Sequence, residues 1–229
     1  MISYKELNEF NYQAFEIKKK EISSIIQNTA VFSKPKIELE QYCIDANSAV
    51  DIVFFAGFEF NDIRNHLIFD FGAGTGRISI ACSYFQPKYI ISIDIDVSAL
   101  QILKKNIKGL QLEYLIFPIC VDINRFEVSP LFLPKNKKIT TIMNPPFGVQ
   151  KDKADRFFLQ KAFEFSDIVY SIHLANQKVH KFILSFIKDY NWHVDYYFPF
   201  KLKLEKSFKF HTQKTKEIDV NIYRFIKKN

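Results

Sequence analysis

The fold of this chain is decided by the stretch LIFDFGAGTG, residues 67–76. It begins with an apolar run, Leu67–Phe71, whose length and composition favour a strand buried in a parallel sheet. Three glycines follow within the next five positions, and glycine lets the backbone turn tightly and lets a ligand approach it closely. Open α/β sheets bind ligands where such loops leave the carboxyl ends of the strands. The stretch therefore predicts a strand, a ligand-binding loop and then a helix.

Glycine is scarce in the rest of the chain. The 229 residues contain only six glycines, whereas an average composition of about 7% would give about sixteen. Half of the six lie in the loop, and a fourth, Gly148, belongs to a second unusual stretch. We therefore expect a backbone reason at each of these positions.

The spacing of the loop discriminates between nucleotide ligands. Arg77 stands where the dinucleotide fingerprint G-x-G-x-x-G has its third glycine. Asp70 opens the loop with a carboxylate, which repels a pyrophosphate but attracts an ammonium group. Asp94 ends the next apolar run and is suited to ribose hydroxyls, and Asp122, after a third run, can bind an adenine edge. These features favour S-adenosylmethionine over NAD, and the alternative is an ordinary strand–helix turn with capping acids.

Strands and helices alternate on both sides of this loop. The pattern predicts an α/β, Rossmann-like fold with a seven-stranded, mostly parallel sheet, helices on both faces, an N-terminal helical cap and a closing hairpin. We expect one domain over 32–229, preceded by a helical extension over 1–31. The predicted strands are Leu67–Phe71, Tyr89–Ile95, Tyr114–Cys120, Ile139–Met143, Ile168–Ile172, Val194–Leu204 and Ile218–Ile226. The predicted helices are 3–28, 46–64, 77–85, one capped by Ser98, 155–165 and 176–189.

The second unusual stretch is NPPFG, residues 144–148, which follows the fourth predicted strand. A planar amino group, on adenine or on a glutamine side chain, is a poor nucleophile because its lone pair is delocalised. The Asn144 side-chain oxygen and the Pro145 carbonyl can each accept a hydrogen bond from one N–H of this amino group. These two hydrogen bonds would direct the nitrogen lone pair at an electrophilic methyl group. Pro145 and Pro146 stiffen the turn, and Phe147 offers a face for stacking an extruded base. The alternative is a proline-rich turn with a core phenylalanine.

Charge points to an anionic partner. The net charge is +7, and residues 199–229 account for +6 of it. Lysines beside aromatic rings suit nucleic acid, because phosphates need the charges and bases stack on the rings. The candidate RNA-binding residues are Lys206, Lys209, Phe210, His211, Lys214 and Lys216.

The cysteines indicate a cytoplasmic, reducing location. Cys43, Cys82 and Cys120 are far apart and have no neighbouring histidine, so neither a zinc site nor a disulfide framework is indicated. The apolar windows are too short to span a membrane. Acidic residues near the N-terminus exclude a signal or transit peptide.

The combined motifs resemble those of class I amino-methyltransferases, and more of the chain is similar to one branch, the methyltransferase-like protein 5 family of archaea and eukaryotes. The similarity runs from about Phe32 to Phe225. Besides the NPPF motif, it rests on Lys34–Lys36, Leu39–Tyr42, Tyr170–His173, Ser207–His211 and Ile218–Val220.

The resemblance implies SAM-dependent N6-methylation of an adenosine in small-subunit ribosomal RNA. The eukaryotic members work with a small zinc-binding activator protein, which makes such a protein a candidate partner of this chain. Asn144, Pro145, Pro146 and Phe147 are then the catalytic residues. With the residues singled out above, the cofactor-binding set is Gln41, Tyr42, Asp70, Gly72, Gly74, Thr75, Gly76, Arg77, Asp94, Asp122 and Ile123. Cys43 and Ile44 depart from the family, which usually has Pro and Thr there.

Three other functions remain open at this point. A glutamine N5-methyltransferase of release factors uses a similar turn, usually with Tyr in place of Phe147, and a DNA adenine methyltransferase shares the chemistry. A non-catalytic RNA-binding or ribosome assembly factor could keep the same fold. The intact NPPF motif and the basic C-terminal segment favour the RNA methyltransferase.

Overall fold

The computed structural model describes residues 18–129, 138–148, 154–205 and 215–228. The strands are β1 Leu67–Phe71, β2 Tyr89–Asp94, β3 Ile116–Cys120, β4 Ile139–Met143, β5 Ile168–Leu174, β6 Trp192–Glu205 and β7 Thr215–Lys227. The helices are α1 18–27, α2 Ala46–Phe54, α3 Arg77–Ser83, α4 Val97–Gly109, α5 Ala154–Phe165 and α6 Gln177–Phe186. The strands form one seven-stranded sheet in the order β3-β2-β1-β4-β5-β7-β6. Only β7 is antiparallel to its neighbours, so the predicted Rossmann-like architecture is confirmed.

Both faces of the central strands β1, β4 and β5 are buried. Alternate residues of β1 point to opposite sides, with Ile68 in one hydrophobic cluster and Phe69 and Phe71 in the other. The first cluster includes side chains of α1, α2, α3 and α4, and the second includes side chains of α5 and α6. Trp192 lies in the second cluster, where it stacks on Phe163. This two-sided burial explains why the central strands are nearly continuous apolar runs.

The register of the central strands brings the candidate motifs to one edge. Phe71, the last residue of β1, pairs with Ile93 of β2 and with Met143 of β4. The glycine loop, Asp94 and Asn144 therefore leave the sheet at the same level, at the carboxyl ends of adjacent parallel strands. This is the edge at which open α/β sheets bind their ligands.

The predicted helix boundaries differ from the observed ones, and the difference is largest at the second helix. The second helix was expected to reach residue 64, but α2 ends at Phe54 and a π-helical turn, Phe55–Glu59, follows. Ser98 does not cap α4, because the cap is Asp96, whose carboxylate accepts the Ser98 N–H. Of the predicted helix 3–28, the described part is helical over 18–27.

The closing hairpin was predicted correctly but is longer than expected. Its first strand also contacts the N-terminal half of the chain, since Ile44 forms a bridge with Leu204. The Glu205 N–H donates to the Cys43 carbonyl, and the Asp45 N–H donates to the Lys203 carbonyl. Residues 43–45 therefore lie along the outer edge of β6. Within the described ranges, no helix is long and apolar enough to cross a bilayer.

Candidate active site

A single cleft at the carboxyl edge of the sheet contains nearly all of the predicted site residues. It is closed on one side by residues that precede α2. The predicted cofactor-binding and catalytic residues that line it are Gln41, Tyr42, Asp70, Gly72, Gly74, Thr75, Arg77, Asp94, Asp122, Ile123, Asn144, Pro145, Pro146 and Phe147. The sequence therefore located the cleft, although it could not assign the contacts within it.

The glycine loop wraps around the end of β2. The backbone N–H groups of Gly72 and Ala73 both donate to the Ile93 carbonyl, at 2.8 and 3.0 Å. Gly72 has φ +74° and Gly74 has φ +54°, in the left-handed region that favours glycine. The glycines therefore give the loop the tight turn that leaves its backbone open to the cleft.

Gly76 differs from the other loop glycines because it is not among the residues that line the cleft. Its φ is +91°, and a Cβ atom on it would lie 2.0 Å from a methyl group of Leu103. Gly76 therefore lets α3 pack against α4, and its contact with cofactor stays a prediction.

Asp94 is held rigidly by backbone donors. One carboxylate oxygen accepts the Gly74 N–H and the other accepts the Asp96 N–H, both at 2.8 Å. Burial raises the pKa of this carboxyl group, although these N–H donors oppose the shift. Each carboxylate oxygen can accept a second hydrogen bond, so Asp94 can still bind a diol.

Asp70 lies beneath the loop and is only 1% exposed. One of its oxygens, Oδ2, accepts hydrogen bonds from the Ser79 N–H and hydroxyl. The other, Oδ1, is buried and has no partner in the described residues. Burial raises the pKa of Asp70 to about 7. A buried carboxylate oxygen without a donor fits a ligand that brings an ammonium group, as S-adenosylmethionine does.

Residues 36–42, which we call the covering segment, are fastened to the start of α4. The Lys36 ammonium and the Gln41 amide both donate to the Asp96 carboxylate, at 2.8 and 2.7 Å. Although burial opposes the shift, the hydrogen bonds from Lys36, Gln41 and Ser98 hold the pKa of Asp96 well below its usual range. The Gln41 side-chain oxygen also accepts a hydrogen bond from the Lys36 N–H, so both ends of its amide group stabilise the covering segment. No pattern in the sequence singled out Asp96.

Arg77 lines the cleft, but its charge is directed away from it. The guanidinium donates from Nη1 to the Ile44 carbonyl and to the Glu205 carboxylate, both at 2.7 Å. Arg77 is 2% exposed. It therefore joins the start of α3 to the end of β6.

Asp122 begins a short 3-10 turn, Ile123–Arg125, after β3. Its carboxylate accepts hydrogen bonds from the backbone and the side chain of Asn124. Ile123 is buried beside it. This places a carboxylate and an apolar wall next to Asp94, which suits the base and the ribose of one nucleoside.

The catalytic turn follows β4 directly. The Asn144 side-chain oxygen is buried and has no hydrogen-bond partner in the described residues. Phe147 is half-buried and packs against the first hydrophobic cluster, so only part of its ring is open to the cleft. Its N–H donates to the Glu40 carboxylate at 2.7 Å. An unpaired acceptor at a cleft wall fits a ligand that brings an N–H donor.

Among the cleft residues that sequence reasoning did not select, three bear on the chemistry of the site. Glu40 belongs to the covering segment and is 8% exposed. Phe157 and Phe158 lie in the first turn and a half of α5, and both line the cleft. Phe157 is 46% exposed, which is unusual for a phenylalanine. Apolar residues in a helix are ordinarily assigned to the core, so no signal in the sequence marked them.

The candidate RNA-binding residues fall mostly outside the described ranges. Lys206, Lys209, Phe210, His211 and Lys214 all do so. Lys216 is described and is exposed on β7, opposite Leu204. His173 is buried and hydrogen-bonded to the Ser171 hydroxyl, as expected of a structural histidine.

Comparison with known proteins gives consistent results. The TRM5/TYW2 methyltransferase domain model matches residues 61–222. An uncharacterised protein of Methanocaldococcus jannaschii is 36% identical over 92% of this chain and 95% of its own length. The rRNA N(6)-adenosine-methyltransferase METTL5 of Danio rerio is 32% identical over 91% of this chain and 99% of its own.

Solved structures also resemble this chain over most of its length. A Pyrococcus horikoshii protein, described as a candidate RNA methyltransferase, has a TM-score of 0.80 and is 35% identical, covering 91% of this chain and 97% of its own. The M. jannaschii TYW2 structure in complex with AdoMet has a TM-score of 0.54 at 19% identity, covers 79% of this chain and 74% of its own, and shares the fold. The chain thus carries a TRM5/TYW2 methyltransferase domain and belongs to the METTL5 family, the branch that its motifs resemble.

Proposed function

We propose that this chain methylates N6 of an unstacked adenosine in small-subunit ribosomal RNA. RNA adenine-N6 methylation is its reaction class and S-adenosylmethionine is its methyl donor. The observation that carries the proposal is the buried, unpartnered Asn144 oxygen at the wall of the cleft that also holds Asp70 and Asp94.

The cleft supplies partners for three polar parts of the cofactor. Asp70 has the unpaired oxygen for the ammonium group, Asp94 has lone pairs for the ribose hydroxyls, and Asp122 faces the base. When bound, the cofactor supplies an electrophilic methyl group on a sulfonium. The glycine loop contributes backbone at close range, because no side chain stands in the way.

The catalytic turn acts by accepting hydrogen bonds. Asn144 Oδ1 and the Pro145 carbonyl accept hydrogen bonds from the two N–H groups of the adenine amino group. These hydrogen bonds direct the nitrogen lone pair at the methyl group. Holding the two reacting atoms in line contributes most of the rate, and no strong base is needed because the proton can leave after transfer. Phe147 and the exposed ring of Phe157 offer faces for the extruded base.

The test measures transfer of a labelled methyl group to total RNA, DNA and protein in parallel, followed by nucleoside analysis. We expect N6-methyladenosine in small-subunit ribosomal RNA, and Asn144→Ala should lower kcat by at least a hundredfold while leaving cofactor affinity within about threefold. Asn47→Ala, at an exposed asparagine of α2, is the matched control. Methylated glutamine or DNA as the main product, or normal turnover by Asn144→Ala, would overturn the assignment.

A small zinc-binding activator protein is proposed as the partner. The family resemblance supports it, and so does the edge of the sheet. Among the described strands, β3 pairs only with β2, and Phe117 and Ile119 on it are 39% and 40% exposed. An apolar strand with an open edge is a site for pairing with another chain.

The basic segment 206–216 is proposed to bind the RNA backbone. Its lysines are interleaved with aromatic residues, which suits phosphates and unstacked bases together. The strands that carry it, β6 and β7, reach the cleft through Arg77 and residues 43–45. We also propose a cytoplasmic location, which three widely separated cysteines support.

A further inference from the structure

The catalytic turn has an unusual shortage of backbone donors. Pro145 and Pro146 have no N–H group, so the first N–H after Asn144 belongs to Phe147. A turn that must hold two acceptors toward a substrate can therefore be anchored from this side through that one N–H. In the structure it donates to the Glu40 carboxylate, at 2.7 Å.

We propose that Glu40 is a positioning residue for methyl transfer, because it anchors the catalytic turn through the Phe147 N–H. This inference rests on the proposed function of the turn and adds a residue to it. A hydrogen bond to a carboxylate is shorter and stronger than one between neutral groups. It fixes the peptide that follows Pro146 and, through the stiff prolines, the direction of the Pro145 carbonyl.

The environment of Glu40 shows that it is held for this contact. Glu40 is 8% exposed and has φ +49°, a conformation that is uncommon for residues other than glycine. Its own N–H donates to the Ile37 carbonyl, which closes the short 3-10 turn before it. The backbone therefore bends at Glu40, and the carboxylate reaches the end of β4.

The covering segment thus spans the cleft. Lys36 and Gln41 fasten it to Asp96, after β2, and Glu40 fastens it to Phe147, after β4. The strand between these two points is β1, which carries the glycine loop. The covering segment therefore also holds the catalytic turn in position.

The anchor can be observed directly by NMR. Labelling with ¹³C-carbonyl proline and ¹⁵N-phenylalanine selects phenylalanines that follow a proline, and the sequence contains two of them, Phe147 and Phe200. Phe200 lies in β6, where it pairs with Val220, and serves as an internal control. In Glu40→Ala the Phe147 amide proton should shift upfield and exchange faster, while the Phe200 signal stays in place. Glu40→Gln keeps an uncharged acceptor, so the Phe147 signal should lie between the two.

Kinetics provide the second measurement. Glu40→Ala should lower kcat at least tenfold, because small misplacements of reacting groups are costly, while the dissociation constant for S-adenosylmethionine changes less than threefold. Glu40→Gln should recover most of kcat. Glu113→Ala, at an exposed glutamate between α4 and β3, makes the same charge change and should behave as wild type.

The outcomes separate this inference from the proposed function. An unchanged Phe147 signal in Glu40→Ala, or a loss of transfer that follows cofactor affinity alone, would overturn the role of Glu40 while the enzyme remains an RNA methyltransferase. If the wild-type chain methylated no RNA, the function would fall, and the NMR comparison would still decide whether Glu40 anchors the turn.

Discussion

At the scale of single residues, Asp70 links the cleft to pH. Its folded-state pKa of about 7 lies above the ordinary value of 3.8 because the carboxyl group is buried. The protonated form therefore stabilises the fold below about pH 4, and this contribution is lost as the pH rises through 7. The ionised form is the one that attracts an ammonium group, so the cofactor site has a cost in stability at neutral pH.

The measurement is the free energy of unfolding of wild type and Asp70→Asn at pH 5 and pH 8, without added ligand. Asparagine resembles the protonated acid, so the stability of wild type relative to the variant should fall between these values, by at most roughly 1.4 kcal/mol per pH unit. Asp189→Asn, at an exposed aspartate, should show no such trend. Parallel pH profiles for wild type and Asp70→Asn would contradict the raised pKa.

The sequence was informative about residue types and uninformative about their partners. Asp94 and Asn144 were found because a carboxylate or an amide at a strand end is unusual and its position is fixed by the sheet. The hydrogen bond between Glu40 and Phe147 joins residues that are 107 positions apart in the sequence. The residues around each of them contain no sign of this contact. Likewise, nothing near Arg77 in the chain reveals Glu205 as its partner.

At the scale of elements, strand β3 is the exposed boundary of the sheet. If its edge receives the activator, Phe117→Ser combined with Ile119→Lys should weaken that complex at least tenfold, because both side chains are exposed and apolar. The double variant should fold normally, since surface substitutions change stability little. Binding can be measured by calorimetry after the two proteins are purified separately.

The control for this edge is Leu184→Lys, which places a charge on an exposed leucine of α6. That variant should bind the activator as wild type does. Equal binding by wild type and the β3 double variant would place the interface elsewhere on the molecule.

Strands and helices were predicted best where polar residues or glycines mark both of their ends. The limits of β1 and β4 were obtained correctly, because polar residues or glycines bound each apolar run. The helix after residue 46 was extended too far, because Phe55–Glu59 keeps an apolar pattern while its backbone widens to a π-helical turn. Local sequence carries little information about that change, and the residues that Phe55 packs against, such as Phe198, are distant in the sequence.

At the scale of the whole molecule, the positive charge should appear as salt-dependent RNA binding. Each phosphate contact to a single strand contributes about 0.7 to the slope of log K against log salt. Replacing Lys206, Lys209, Lys214 and Lys216 with glutamine should therefore lower the slope by about 3. Fluorescence anisotropy at several salt concentrations measures this slope.

The control uses four exposed lysines elsewhere: Lys88, Lys104, Lys105 and Lys108. Replacing them makes an equal change in net charge and should leave the slope nearly unchanged. If both quadruple variants lowered the slope equally, the RNA would be responding to overall charge, and the segment 206–216 would not be the binding site.

The order of the strands has a consequence for synthesis on the ribosome. Strand β7 is the last to be made, yet it lies between β5 and β6, which precede it. Until β7 emerges, β6 has no partner among the described strands of the sheet. Translation must therefore pass Lys227, the end of β7, before the sheet closes. A product that stopped before β7 would display unpaired edges on β5 and β6 to chaperones and proteases.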